Sequence, residues 1–131
     1  KITIVTPNEV EAGILTGISV KDEESASGAA DYFLKKGVKN VIITMGEKGS
    51  FVTDGKEKRM IPIFKVHAVD TTGAGDAYNG GFVTALSEGK DIFEACVFAS
   101  ATAALSVQKM GTTPSMPTRE EIDRFISENR K

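Results

Sequence analysis

One cysteine, Cys96, is all the thiol chemistry that this chain of 131 residues holds. A lone cysteine builds no internal disulfide framework and fits a reducing compartment. Positive charge is not in excess either. Sixteen Lys and Arg stand against 18 Asp and Glu, a net charge of −2, so nucleic acid and anionic membranes are not expected partners. No apolar run reaches the ~18 residues of a membrane-spanning helix, and the N-terminus lacks a signal-peptide layout. The expectation is a cytoplasmic protein. An initiator methionine is missing too: Lys1-Ile2-Thr3-Ile4-Val5 opens directly on a strand, as in a piece cut from something larger. His67 and Cys96 have no partners at metal-ligand spacing, which leaves a satisfied or surface histidine and a small core residue.

What is present is a run of alternating elements. Ile2 to Val5 is an apolar, β-branched run that Pro7 breaks. Asn8 to Leu15 reads as a short helix ended by Gly17. Asp22-Glu23-Glu24 opens a second helix, Ala26, Ala29, Ala30, Phe33 and Leu34 form its apolar stripe, and Lys35-Lys36-Gly37 closes it. Val41 to Ile43 reads as a buried strand. Ser50 to Thr53 and Lys58 to Ile63 flank the hairpin signal Asp54-Gly55, with Pro62 placing the second strand on an edge. Val66 to Val69 is strand-like. Helices follow over 75–88 and 91–108, the second apolar on almost every face. Thr118-Arg119-Glu120-Glu121 fits a capping box ahead of a terminal amphipathic helix. Strands alternating with helices predict one α/β domain over residues 1–131, with a mostly parallel sheet.

Three segments carry chemistry. Asp70-Thr71-Thr72-Gly73-Ala74-Gly75-Asp76 sets three small residues between two carboxylates, between a strand-like and a helix-like run. A side-chain-poor backbone there approaches an anion closely, and the helix behind it aims free N–H groups at that anion. A carboxylate at the edge of such a cradle repels the anion but suits the proton of whatever attacks it. Phosphate site plus base is the logic of phosphoryl transfer. The plainer alternative is a strand-to-helix turn that needs glycine for geometry. A dinucleotide fingerprint lacks its third glycine here, and a Walker A loop lacks its Lys-Ser/Thr pair. Gly46-Glu47-Lys48-Gly49 follows a buried strand, where ligands of open α/β sheets gather; it fits either a nucleotide loop or a plain turn. Asn8 and Glu11 share a helix face at i, i+3. They fit either a site working through Mg²⁺ or a helix N-cap with a solvated Glu.

Asp70 to Gly80 resembles the C-terminal signature of the ribokinase-like (PfkB) carbohydrate kinases. Thr6-Pro7-Asn8-Glu9-Val10-Glu11-Ala12 is similar to that family's Asn-x-x-Glu element, and Ile42 to Gly49 to its nucleotide strand and loop. Lys109 to Pro117, followed by Arg119-Glu120-Glu121, resembles the ending of the family's ribose-phosphorylating branch.

The resemblance implies a three-layer αβα, Rossmann-like fold and a phosphotransferase acting on a sugar's primary hydroxyl with ATP, Mg²⁺ and K⁺. Ribose is the implied acceptor, with fructose or another furanose or nucleoside as the alternative, and a non-catalytic nucleotide-binding module as the second class. Asp76 is implied as catalytic base. Gly73, Ala74 and Gly75 are implied as the anion hole. Asn8, Thr44, Met45, Gly46, Glu47, Lys48, Gly49, Gly75 and Ser100 are implied on the nucleotide, and Glu11 on Mg²⁺ indirectly. Asp70, Thr72, Ser106, Lys109, Gly111 and Ser115 are implied around a monovalent cation. The resemblance covers only the C-terminal half of such a kinase, without its glycine-glycine sugar signature. A cut sheet then predicts a homodimer or other association, and negligible activity for the piece alone.

Overall fold

The apolar β-branched runs at the N-terminus and at residues 40–44 pair with each other and start the fold. In the computed structural model, which describes residues 4–64, 74–108 and 117–129, they are β1 (Ile4–Val5) and β2 (Asn40–Thr44), joined in parallel with Ile4 opposite Asn40 and Val5 opposite Val41. A parallel pair needs a crossover. It is supplied by α1 (Glu9–Thr16) and α2 (Glu23–Lys35). Each starts on its own capping box: Asn8 with Glu11, and Asp22 with Ser25. Gly17 ends α1 in the left-handed conformation at φ 75°, which glycine adopts without a Cβ penalty.

β3 (Ser50–Thr53) and β4 (Lys58–Ile61) then form the hairpin expected around Asp54-Gly55. The order is β1-β2-β3-β4, so β4 is an edge strand of the described sheet. It stops at Ile61, short of the expected Ile63, because Pro62 has no N–H to continue a ladder. The α/β class is as expected, but among the described residues the sheet is mixed. Only β1–β2 is parallel; β2–β3 and β3–β4 are antiparallel, since a tight hairpin reverses the chain.

The chain divides into two compact units, residues 1–62 and 63–131. In the first, Ala26, Ala29, Ala30 and Phe33 form a stripe on α2 and pack with Ala12, Val41, Ile43, Met45 and Phe51. Alternation along the strands puts Val41 and Ile43 on that face. The buried Phe, Met, Val and Ile side chains contribute about 1.5–3 kcal/mol each, and the alanines less. Lys58 ties the edge strand to α2, its Nζ donating to Asp31 Oδ1 at 3.0 Å and Ser27 Oγ at 2.8 Å.

The second unit is helical where it is described. α3 (Ala74–Ser87) and α4 (Ile92–Gln108) pack closely. An added Cβ on Gly81 would lie 2.5 Å from Thr102 Oγ1 and 3.2 Å from Ala99 Cα, so only glycine admits this approach. Asp91 caps α4 rather than joining it, its Oδ1 accepting the Glu94 N–H at 2.8 Å. α4 is buried round most of its circumference, as its composition implied. α5 (Arg119–Asn129) starts on the expected Thr118–Glu121 capping box. It packs on α4, Ile122 is buried, and Arg119 lies 5.7 Å from the Phe98 ring centre while pairing with Glu88 and Asp123.

Candidate functional site

Asn8 meets Thr44, the last residue of β2, at one end of the first unit's sheet, and Glu11 bonds to Asn8 there. Ligands of α/β sheets sit in this region. The parallel pairing extends beyond the strands: Asn8 bridges Thr44, and the Thr44 N–H donates to Pro7 O at 3.1 Å. Within α1's capping box, the Asn8 N–H donates to Glu11 Oε1 at 2.9 Å and the Glu11 N–H to Asn8 Oδ1 at 2.8 Å. This is the N-cap arrangement weighed from the sequence. It also fixes the Glu11 carboxylate at the helix N-terminus, one oxygen engaged by backbone and the group exposed. Mg²⁺ keeps several waters and takes one or two carboxylates beside phosphate oxygens. A single exposed carboxylate acting through water fits that chemistry. Among the described residues no cluster of three or more His, Cys, Asp or Glu could hold a metal alone.

The Thr44–Gly49 segment continues from β2 as one tight turn. Met45 is buried, and its N–H donates to Gly49 O at 2.8 Å. The Lys48 N–H donates to Met45 O and the Gly49 N–H to Gly46 O, both at 3.1 Å. Gly46 and Gly49 have φ of 58° and 96°. Gly49 has a second reason to be glycine: an added Cβ would lie 2.1 Å from Ile61 O. The turn is therefore stiff, with Gly46, Glu47 and Lys48 exposed. Lys48 Nζ donates to the Lys21 carbonyl, a contact with no signal in the sequence because 27 residues separate the two. A separate, mostly apolar groove of about 500 Å³ runs along α1, lined by residues such as Val10, Gly13, Ile14 and Ile18. It includes none of the residues implied on the nucleotide and gathers few polar groups, so the site is assigned by its chemistry.

In the second unit, Ala74, Gly75 and Asp76 form the first turn of α3. The N–H groups of a first helical turn have no partner within the helix, and the helix dipole makes that end positive. The backbone thus offers what an anion cradle requires. Ser100 lies buried in α4, and Ser106 is half-buried near its end, about 120° around the helix from Ser100. Asp70, Thr72, Gly73, Lys109, Gly111 and Ser115 lie outside the described residues, as do His67 and the expected strand 66–69. Burial pushes the Cys96 thiol up to about 12, with Tyr78 pulling weakly the other way. Cys96 is a protonated core residue at neutral pH.

A sequence profile described as pfkB family carbohydrate kinase matches residues 1–119. The chain belongs to that family. It is 54% identical over 125 residues to a ribokinase of Haemophilus influenzae, covering 95% of this chain and 41% of that one. It is 39% identical over 129 residues to a deoxyribokinase of Salmonella typhimurium, covering 98% of this chain and 42% of the relative. Among solved structures it is similar to Arabidopsis thaliana ribokinase complexed with ribose and ATP, at a TM-score of 0.86 and 39% identity over 95% of this chain and 41% of that one. The ribokinase-like fold is thereby established, and the chain spans about two-fifths of the length of these relatives. No helix among the described residues is long and apolar enough to cross a membrane.

Proposed function

We propose that this chain is the nucleotide-binding and phosphoryl-transfer part of an ATP-dependent sugar kinase, with the primary hydroxyl of ribose as acceptor. The observation that carries this reading is the 54% identity to a ribokinase across 95% of the chain, which takes in all three motifs. In this proposal the acceptor hydroxyl oxygen bonds to the γ-phosphorus, the bond to the β–γ bridging oxygen breaks, and the hydroxyl proton passes to the Asp76 carboxylate. An aspartate is a weak base beside an alcohol. Phosphoryl transfer is largely dissociative, however, so Asp76 chiefly orients the hydroxyl and takes its proton late. Backbone N–H groups of Gly73, Ala74 and Gly75 face the charge on the transferring group, the larger electrostatic contribution.

Asn8, Thr44 to Gly49 and Ser100 would line the nucleotide, and Glu11 would hold a water of Mg²⁺, which offsets phosphate charge. Asp70, Thr72, Ser106, Lys109, Gly111 and Ser115 would surround K⁺ and steady the 70–76 segment. Fructose or a nucleoside as acceptor is the second reading, because sugar-selecting residues of such kinases lie outside this chain. A dimer and a cytoplasmic location belong to the same proposal, supported by exposed Val10 and Ile14, 65% and 78% accessible, and by the lone Cys96.

The test places residues 1–131 in the Haemophilus influenzae ribokinase in place of its matching segment. Transfer of phosphate from ATP to ribose by the hybrid is the expected result. A folded hybrid that binds ribose but leaves ATP intact would overturn the proposal. Ribose outpacing fructose and adenosine in a whole kinase carrying this chain would favour the first acceptor.

A further inference from the structure

We propose that Lys48 is a positioning residue that clamps the 46–49 turn to the α1–α2 connection, and is not a ligand of phosphate. The inference rests on the reading of that turn as the nucleotide loop. Lysine beside a nucleotide invites the opposite assignment, an ammonium on the phosphates. In this chain the ammonium is already committed: Lys48 Nζ donates to the carbonyl of Lys21. A charged donor on a carbonyl is among the stronger hydrogen bonds. At that position Lys48 joins Lys21 as a minor positive charge beside the Asp22 carboxyl, whose ionised form is favoured chiefly by its hydrogen bonds from Ser25.

Both ends of the clamp are themselves fixed. On the acceptor side, the Lys21 and Asp22 N–H groups donate to Ser25 Oγ at 2.9 Å and 3.1 Å, and the Ser25 N–H donates to Asp22 Oδ1 at 2.8 Å. The Lys21 carbonyl therefore hangs from the capping box of α2. On the donor side, the Lys48 N–H closes the turn onto Met45 O at 3.1 Å. One residue thus closes the turn with its backbone and tethers it with its side chain. The stem of a lysine bridging two stiff elements loses little further freedom when a ligand arrives. The clamp prepares the loop's shape before the nucleotide binds, and preorganisation of this kind raises affinity by lowering the ordering cost.

The experiment compares the unmodified chain with Lys48→Met, which keeps the stem and drops the charge, and with Lys48→Arg. Amide hydrogen exchange is read without nucleotide, and dissociation constants are read for adenosine, AMP, ADP and ATP. Lys48→Met is expected to lower protection ~3–10-fold at Met45, Lys48 and Gly49 and, together with them, at Lys21 and Asp22, the scale of one hydrogen bond. Lys48→Arg restores it. All four affinities are expected to fall by a similar factor. Unchanged protection, or a loss of affinity that grows with each added phosphate, overturns the proposal. Coupled loss of protection in a chain that binds no nucleotide upholds the clamp and refutes the nucleotide reading of the turn.

Discussion

Gly49→Ala is the sharpest probe of how the sheet holds the 44–49 turn. Gly49 sits at φ 96° and ψ −145°, close to a region that essentially only glycine occupies, and forcing alanine there costs on the order of 1–3 kcal/mol. The new Cβ also meets Ile61 O at 2.1 Å, and Ile61 C and Pro62 Cα at 3.0 Å. These are backbone atoms, so no rotamer change relieves the contact. Ile61 is paired with Ser50, and moving its carbonyl disturbs the end of the β3–β4 ladder. Overpacking of this kind adds about 1–3 kcal/mol. Together the two effects amount to roughly 2–6 kcal/mol.

Gly17→Ala is the matched control. Gly17 has φ 75°, but nothing lies within 4 Å of its added Cβ, so only the left-handed penalty of ~1–2 kcal/mol applies. In urea, followed by far-UV circular dichroism and by exchange of the β2–β3 amides, Gly49→Ala should lower the midpoint by about 1–3 M at a slope near 2 kcal/mol/M. The control should lower it by about 0.5–1 M at the same slope. Equal shifts for the two variants would refute the argument that the contact with Ile61, rather than backbone dihedral alone, dictates glycine at this position.

The helical unit makes a parallel case. Gly81→Ala drives a methyl against Thr102, which is fully buried and donates from Oγ1 to Phe98 O at 2.8 Å. A loss of ~2–3 kcal/mol is expected in chemical denaturation, partly recovered when Thr102→Ala is added. Asp22 and Asp54 give a pH prediction. The Ser25 backbone N–H, then its hydroxyl, holds the Asp22 carboxyl below its usual range, and the Glu57 and Lys56 backbone N–H groups do the same for Asp54. With folded values depressed, the unfolded chain binds these protons more readily. The stabilisation is complete above the ordinary carboxylate value of ~3.9 and is lost as pH falls through the folded values. Asparagine still caps a helix. Asp22→Asn and Asp54→Asn should therefore leave the urea midpoint at pH 6 nearly unchanged and flatten its decline toward pH 2.5. An unaltered acid limb would contradict the assignment.

Most elements were legible in the sequence because their signals are local. Asp22, Asp91 and Thr118 mark helix starts by hydrogen bonds made within four residues. The spacing of Ala26, Ala29, Ala30 and Phe33 declares the buried stripe of α2 directly. The mixed sheet was less legible, because strand direction follows from connections rather than from residue composition. The hairpin signal at Asp54-Gly55 was read, but its consequence, an antiparallel β2–β3–β4 meander, outweighed the single parallel crossover. In the site, Asn8 and Glu11 were legible as a capping pair. The meeting of Asn8 with Thr44 depends on pairing across more than thirty residues of separation, and the Lys48–Lys21 contact on a loop geometry that no pattern encodes. The motif 70–76 was legible by resemblance, and three of its residues open α3.

The central claim is that the 70–76 segment performs phosphoryl transfer with Asp76 as its base. The direct measurement is the single-turnover rate of phosphate transfer from ATP to ribose in the Haemophilus hybrid, with and without Asp76→Asn. Loss of a general base is expected to slow transfer by on the order of 10²–10⁴ while nucleotide affinity holds. A folded Asp76→Asn hybrid that transfers phosphate at the full rate would contradict the account.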